Sequence, residues 1–451
     1  MVRSGRSRLR IAAAFALTVA VALTSACGGS ADAKWHSPGD STASPGASGG
    51  PSGSALTISP GPNAKNVSPA ASIKAEIAAG TLTEVKLTNS AGKVVKGRYD
   101  ADKRTWTATE KLGYNKAYTM KVTATGDDGK QYDQTNKFTT VKPNNLTLPY
   151  LRANYAVLLN GGTFGVGQPI TVWFDEPIKD KKAAQKALSV TTDPPVYGAW
   201  HWFDNREVHW RPKEYWPAGT KVTVKANVYG KNLGGGLYGQ EDVSATFKIG
   251  ESHIAIADAK TKRMKVYVDG KQVKKINGRD VSAGIPVSLG KDQVETGANG
   301  ELIDFRTYSG VHVVMQKHQE YRMTSASFGI TDKKSPNYYD TLIKKAVRIS
   351  NSGEFFHMAD WNIPQHGKVN TSHGCINIGP AYINWMFDTF RPGDIIDVKN
   401  TGKNLDPRDG LGDWQISWKK WIAGSALPVD PELSEGTETP ATPQPTNTAT
   451  P

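Results

Sequence analysis

Met264-Lys265-Val266-Tyr267-Val268-Asp269-Gly270-Lys271-Gln272-Val273 alternates apolar and polar residues on either side of an Asp-Gly pair. Alternation with a period of two puts one face of an extended segment into a core. Asp-Gly supplies the two positive-φ residues of a tight two-residue turn. The stretch therefore predicts a β-hairpin, and its surroundings continue the pattern. Ile254 and Ile256 alternate with small residues upstream, and residues 311–315, 346–349 and 394–398 read as further strands. One helix interrupts them. Pro380 opens it, Ile383, Met386, Phe387 and Phe390 fall at i, i+3, i+4 and i+7, and Arg391-Pro392-Gly393 closes it. A β-rich unit with one short helix is expected over residues 251–400.

Upstream the chain is also β in character. Residues 55–142 hold short alternating runs such as Thr105-Trp106-Thr107-Ala108 and Met120-Lys121-Val122-Thr123, separated by turn dipeptides. Residues 143–250 echo them: Trp106, Tyr114 and Lys121-Val122-Thr123 recur as Trp210, Tyr215 and Lys221-Val222-Thr223. Strands this short and this evenly spaced suggest two tandem immunoglobulin-like sandwiches. The fold class is mainly β. Neither sandwich carries a catalytic cluster, so both read as spacers and packing partners. Residues 401–427 form a Trp-rich segment in which Trp414, Trp418 and Trp421 share a helical face, and core packing accounts for them.

The ends of the chain set the compartment. Arg3, Arg6, Arg8 and Arg10 precede an apolar run that ends at Leu23-Thr24-Ser25-Ala26-Cys27. A basic start, a short apolar core and small residues before a cleavage point make a secretory signal over residues 1–27. The Cys after the small residues resembles a bacterial lipobox, which implies lipidation of Cys27. The expected location is extracytoplasmic, on the membrane through a lipid anchor and facing the wall. Plain secretion with an incidental Cys27 is the alternative. Residues 28–54 are a Gly/Ser/Pro-rich tether and residues 428–451 a disordered tail.

Composition narrows the function. The 451 residues carry a net charge of +13, 38% hydrophobic residues and two cysteines. One apolar stretch excludes a multi-span membrane protein, and two cysteines exclude a disulfide-dense scaffold or a four-thiolate metal site. The basic balance points to an anionic partner. Outside the cytoplasm that partner is an envelope polymer or anionic lipid, not nucleic acid.

With Cys27 explained by the signal, Cys375 is the one cysteine left for the folded part, in an oxidising compartment. It sits in Thr371-Ser372-His373-Gly374-Cys375-Ile376-Asn377. Gly374 permits unusual backbone angles. His373 is two residues away, and His357 lies on the preceding segment Glu354-Phe355-Phe356-His357. A thiol beside an imidazole can ionise near neutral pH and attack a carbonyl. A buried, inert thiol is the competing reading.

These residues resemble the L,D-transpeptidase (YkuD-type) catalytic domain, whose signature is a His, a spacer, then Ser/Thr-His-Gly-Cys-x-Asn. The lipobox-like start, the two sandwiches and Gly410-Leu411-Gly412-Asp413-Trp414 are similar to actinobacterial multidomain members. The resemblance implies Cys375 as nucleophile and His357 as base, with the carbonyl of Met358 orienting the imidazole. His373 belongs to the catalytic set. Backbone N–H groups around His373, Gly374 and Cys375 would form the oxyanion hole, and Ser372, His373 and Asn377 would position loop and substrate. A lid over residues 318–345 would bring Met323, Phe328 and Tyr339 to the substrate, and Trp361 would wall the pocket. Phe328 stands where a second Tyr is common.

The implied reaction needs no cofactor and no metal. It joins two peptidoglycan stem peptides, donor and acceptor, in a 3→3 cross-link and releases D-Ala. Carbapenem-type β-lactams would inhibit it. Two alternatives stay open: an L,D-carboxypeptidase on the same stems, and a non-catalytic lipoprotein that binds cell-wall glycan. A zinc site of His357, His366, His373 and Cys375 matches no familiar spacing. His366 is then expected to be a loop histidine facing solvent.

Overall fold

The computed structural model describes residues 55–429. Cys27 and the tether lie outside the described residues, as does nearly all of the tail. The first sandwich packs a four-stranded sheet against a five-stranded one. Its longest strands show why the alternation folds this way. Along Ala117–Thr125, Tyr118, Met120, Val122 and Ala124 are buried, while Ala117, Lys121 and Thr125 face solvent. The second sandwich repeats the scheme with a five- and a four-stranded sheet, and Val222, Val224 and Ala226 point inward. The echo between the two units is physical. Trp106 lies over Gly97 and Trp210 over Gly198, each glycine on the neighbouring strand where a Cβ would strike the indole.

Residues 253–399 form one continuous sheet. Its order runs Gly310–Val313, Ile395–Lys399, His253–Asp258, Arg263–Val268, Ile285–Ser288, Ile376–Ile378, Phe355–Met358, Asp340–Arg348 and Gln316–Thr324. The hairpin at Asp269-Gly270 is present, with φ of 47° and 75° at the two residues. The helix Pro380–Thr389 buries Ile383, Met386 and Phe387 against Val287, Phe356, Ile376 and Ile378. The last two strands of the sheet make a long hairpin, Met323 opposite Thr341, whose connection carries residues 325–339.

One expectation is sharpened here and one changes. Of the two roles expected for it, spacer and packing partner, the second sandwich takes that of packing partner to the catalytic sheet. Phe164, Ile170, Trp216 and Phe247 of the sandwich share one core with Ile254, Val313, Ile395 and Leu411. Backbone hydrogen bonds from Gly165 to Pro392 and from Gly167 to Gly393 knit the two together. The three tryptophans also do not sit on one helix. Trp414 belongs to a 3₁₀ turn, Gly412–Gln415, and a separate helix begins at Trp418. Their rings converge instead on one buried cation. The Arg211 guanidinium lies 4.5, 5.3 and 4.4 Å from the centroids of Trp414, Trp418 and Trp421. Beside it, buried His209 is held by Asp413 at 2.7 Å and Glu207 at 2.9 Å. The first sandwich has a core of its own and meets the second where Tyr114 packs on Tyr229 and Tyr238 and its hydroxyl donates to the Gly239 carbonyl at 2.6 Å.

Candidate active site

Strand register assembles the site. Phe355–Met358 and Ile376–Ile378 run parallel, with His357 opposite Asn377. Phe356 and Ile376 point into the core, so the alternation turns His357 and Asn377 to the other face. Cys375 enters the second strand from a tight loop. Gly374 takes φ of +127°, a region L residues rarely adopt, and no neighbour crowds its Cα. Conformation, not space, requires glycine there.

Ser372 staples this loop. Its hydroxyl donates to the Cys375 carbonyl at 2.5 Å and accepts from the Gly374 N–H at 3.2 Å. That corrects one expectation about the oxyanion donors. The Gly374 N–H is already engaged, which leaves the N–H groups of His373 and Cys375 as candidates.

His357 Nδ1 donates to the Met358 carbonyl at 2.8 Å. Nε2 is therefore the nitrogen with the lone pair. His357, His373 and Cys375 line one cavity of about 460 Å³ together with Met323, Tyr339, Thr341, Ile343, Trp361, Asn362, Thr371, Ser372 and Asn377. Trp361 stacks on the His357 ring, 5.9 Å between centroids, and is 59% exposed at the rim. The Cys375 thiol faces the Gly353 carbonyl at 3.9 Å and packs against the hairpin residues Met323, Ile343 and Tyr339.

The electrostatics bear on whether the thiol and imidazole rest as an ion pair. Burial pushes the Cys375 thiol up to about 12 against an opposing Phe355 backbone hydrogen bond, with smaller contributions from Glu354, which raises it, and Arg348, which lowers it. Burial pulls His357 down to about 4 against the opposing Met358 hydrogen bond. His373 also falls to about 4, through burial and then the charge of Lys291. Desolvation penalises the charged forms, so burial favours an uncharged thiol and uncharged imidazoles in the resting site. Tyr339 is raised by its own burial.

Two further expectations change. Phe328 does not line the cavity. Its ring packs on Tyr339 and Phe305, at 6.0 and 6.4 Å, and so braces Tyr339 from behind. His366 is buried, not solvent-facing, and its Nε2 meets Asn362 Oδ1 at 2.8 Å. The Asn362 amide donates in turn to Thr371, whose backbone N–H donates to Ser288. This chain of polar contacts supports the loop from below, and sequence reasoning missed it. Also missed was a buried pair behind the loop. Glu354 accepts from the Tyr308 N–H at 2.7 Å and contacts His312 Nε2 at 3.0 Å, and its burial raises the carboxyl above the usual range.

The chain is similar to known families and proteins over most of its length. The L,D-transpeptidase catalytic domain family matches residues 252–398, and a bacterial Ig domain family matches residues 64–232. L,D-transpeptidase 2 of Mycobacterium tuberculosis is 40% identical over 372 residues, which is 82% of this chain and 85% of that protein. L,D-transpeptidase 5 of the same organism is 37% identical over 378 residues, 83% of this chain and 77% of that protein. Among solved structures, the L,D-transpeptidase LdtMt1 in complex with imipenem covers 56% of this chain and 99% of its own, with 28% identity and a TM-score of 0.43.

Proposed function

The chain belongs to the L,D-transpeptidase family, and from that premise we propose that it forms 3→3 peptidoglycan cross-links through a thioester on Cys375. One observation carries the assignment: a fixed Nδ1–H tautomer leaves His357 Nε2 as a proton acceptor in the cavity that also holds the thiol.

In the first half-reaction Nε2 takes the thiol proton as Sγ attacks the carbonyl before the terminal D-Ala of a donor stem. The oxyanion is met by the backbone N–H groups of His373 and Cys375. The C–N bond breaks, D-Ala leaves, and its amine carries off the proton held by His357. In the second, the side-chain amine of an acceptor diaminopimelate attacks the thioester. The new C–N bond forms as the C–S bond breaks, the amine gives up a proton to His357 Nε2, and His357 returns that proton to the thiolate. Because burial favours the neutral thiol, its proton has to pass to His357 before or during attack. Asn377 and Ser372 hold the loop, Tyr339, Met323 and Trp361 receive the stem, and Phe328 supports Tyr339. His373 completes the set.

A strained cyclic amide offers the same carbonyl, so a carbapenem acylates Cys375. The signal at residues 1–27 and Cys27 support an extracytoplasmic, lipid-anchored enzyme. The net charge of +13 favours residence on anionic wall polymers.

Intact-mass analysis with a soluble tetrapeptide stem tests the reaction. The expected result is an adduct on Cys375 with loss of D-Ala, resolved to a dimer by an added acceptor stem. An adduct elsewhere, or equal turnover by Cys375→Ser, overturns it. Exclusive release of free tripeptide in the presence of acceptor identifies a carboxypeptidase instead.

A further inference from the structure

The hairpin that covers the cavity also reaches into the catalytic loop through one amide. Asn337, 3% exposed, lies in the connection between the strands Gln316–Thr324 and Asp340–Arg348. Its Oδ1 accepts from Lys291 Nζ, and its Nδ2 donates to Glu295 Oε2. Ser335 Oγ donates to the other Glu295 oxygen at 3.1 Å and accepts from the Asn337 N–H at 3.1 Å.

The two charged partners decide which way the amide points. An ammonium group only donates, so the atom it meets is the oxygen. A carboxylate only accepts, so the atom it meets is the nitrogen. His373 Nε2 faces that same oxygen at 3.2 Å. An oxygen already fixed as an acceptor requires a donor, so His373 carries its proton on Nε2 and leaves Nδ1 bare. The ring cannot turn freely, since Phe305 meets it edge-on at 4.9 Å and Tyr339 packs on it at 5.1 Å.

We propose that Asn337 is a positioning residue: oriented by Lys291 and Glu295, it fixes His373 as the Nε2–H tautomer and so sets the hydrogen-bonding character of the catalytic loop. The two imidazoles of the site then hold opposite tautomers. His357 keeps its proton on Nδ1 and His373 on Nε2. A bare Nδ1 makes His373 an acceptor toward whatever meets that edge, which suits the N–H groups of a stem or of an incoming amine. The catalytic consequence rests on the transpeptidase reading; the tautomer does not.

The test separates the two. In ¹⁵N-histidine-labelled full-length protein at pH 7.5, with the signals of His373 identified by their loss in His373→Gln, the expected pattern is a protonated Nε2 and an unprotonated Nδ1. Asn337→Ala should move both nitrogens toward averaged values and lower kcat for Cys375 acylation about tenfold, the size of one lost hydrogen bond, with KM little changed. The exchange Asn337→Asp with Glu295→Gln keeps an acceptor toward His373 and Lys291 and a donor–acceptor pair between positions 337 and 295. It should restore both the tautomer and the rate. An Nδ1–H signal in the unaltered protein, or an unchanged tautomer in Asn337→Ala, overturns the proposal. Failure of Cys375 to form a thioester would strike the transpeptidase reading and leave the tautomer measurement intact.

Discussion

His357 and Asn377 stand opposite each other on neighbouring parallel strands whose alternate residues, Phe356 and Ile376, are locked in the core. The position of the base is thus set by sheet register rather than by a loop. His357→Gln should remove the Nε2 lone pair without moving the strand. Acylation of Cys375 by a tetrapeptide stem is expected to fall roughly 100- to 10,000-fold, with the unfolding midpoint little changed. Time-resolved intact mass measures the first and thermal unfolding the second. A loss smaller than about tenfold would place the base elsewhere.

The charge state of the pair predicts two different pH profiles. His357, at about 4, is already neutral through the working range, while the thiol, at about 12, stays protonated. Stem acylation uses the neutral base and should level off above about pH 5 and stay level past neutrality. Alkylation by iodoacetamide needs the thiolate. It should be slow at neutral pH and still rising beyond about 8.5, the value of an ordinary cysteine. Fast, pH-independent alkylation below neutrality would reveal an ion pair.

Stability should depend on pH through His209. Burial opposes its charge, but Asp413 and Glu207 outweigh that and push it up to about 10. A value raised above the unfolded one, about 6.5, means that the protonated form favours folding. This contribution is complete below about pH 6.5 and is lost as pH rises through about 10. Denaturant midpoints from neutral pH to above 10 should fall in the unaltered protein. His209→Gln should start lower and change less.

Removing one member of the buried Glu354–His312 pair leaves the other without its partner. Glu354→Ala takes the acceptor away from the Tyr308 N–H and from His312 and should cost about 1–3 kcal/mol, read from chemical denaturation. Replacing both Glu354 and His312 by leucine should cost less than the single change. A single change within about 0.5 kcal/mol of the unaltered protein would mean that the pair is freely hydrated.

Deleting residues 55–142 should leave thioester formation on soluble stems nearly unchanged, because the first sandwich contributes no residue to the cavity. Deleting residues 143–250 should abolish folding of the catalytic unit. Loss of acylation in the first deletion would show that the first sandwich supports the site.

Much of this was legible in sequence because local patterns carried it. The Asp269-Gly270 turn, the Pro380 helix and the motif at 371–377 each depend on residues close together in the chain. What escaped was set by three-dimensional environment. Spacing places an imidazole near Cys375 but says nothing of how little water reaches either group, and that decides their charge. His366 reads as a loop residue among Pro364, Gln365 and Gly367; only its approach to Asn362 buries it. Arg211 reads as one more basic strand residue until the segment 412–423 returns from 200 residues away in the chain to cover it.

That return has an evolutionary consequence. The catalytic sheet has one face completed by the second sandwich, and the sandwich has its Arg211 completed by tryptophans that follow the sheet. A gene fusion that carried residues 251–400 alone would leave the apolar face under the sandwich uncovered, and the sandwich left behind would keep Arg211 covered only if residues 412–423 stayed with it. Residues 143–427 thus share packing that would have to travel together, whereas the first sandwich has a core of its own and meets the second at a seam that includes Tyr114, Tyr229 and the Lys111–Asp242 pair.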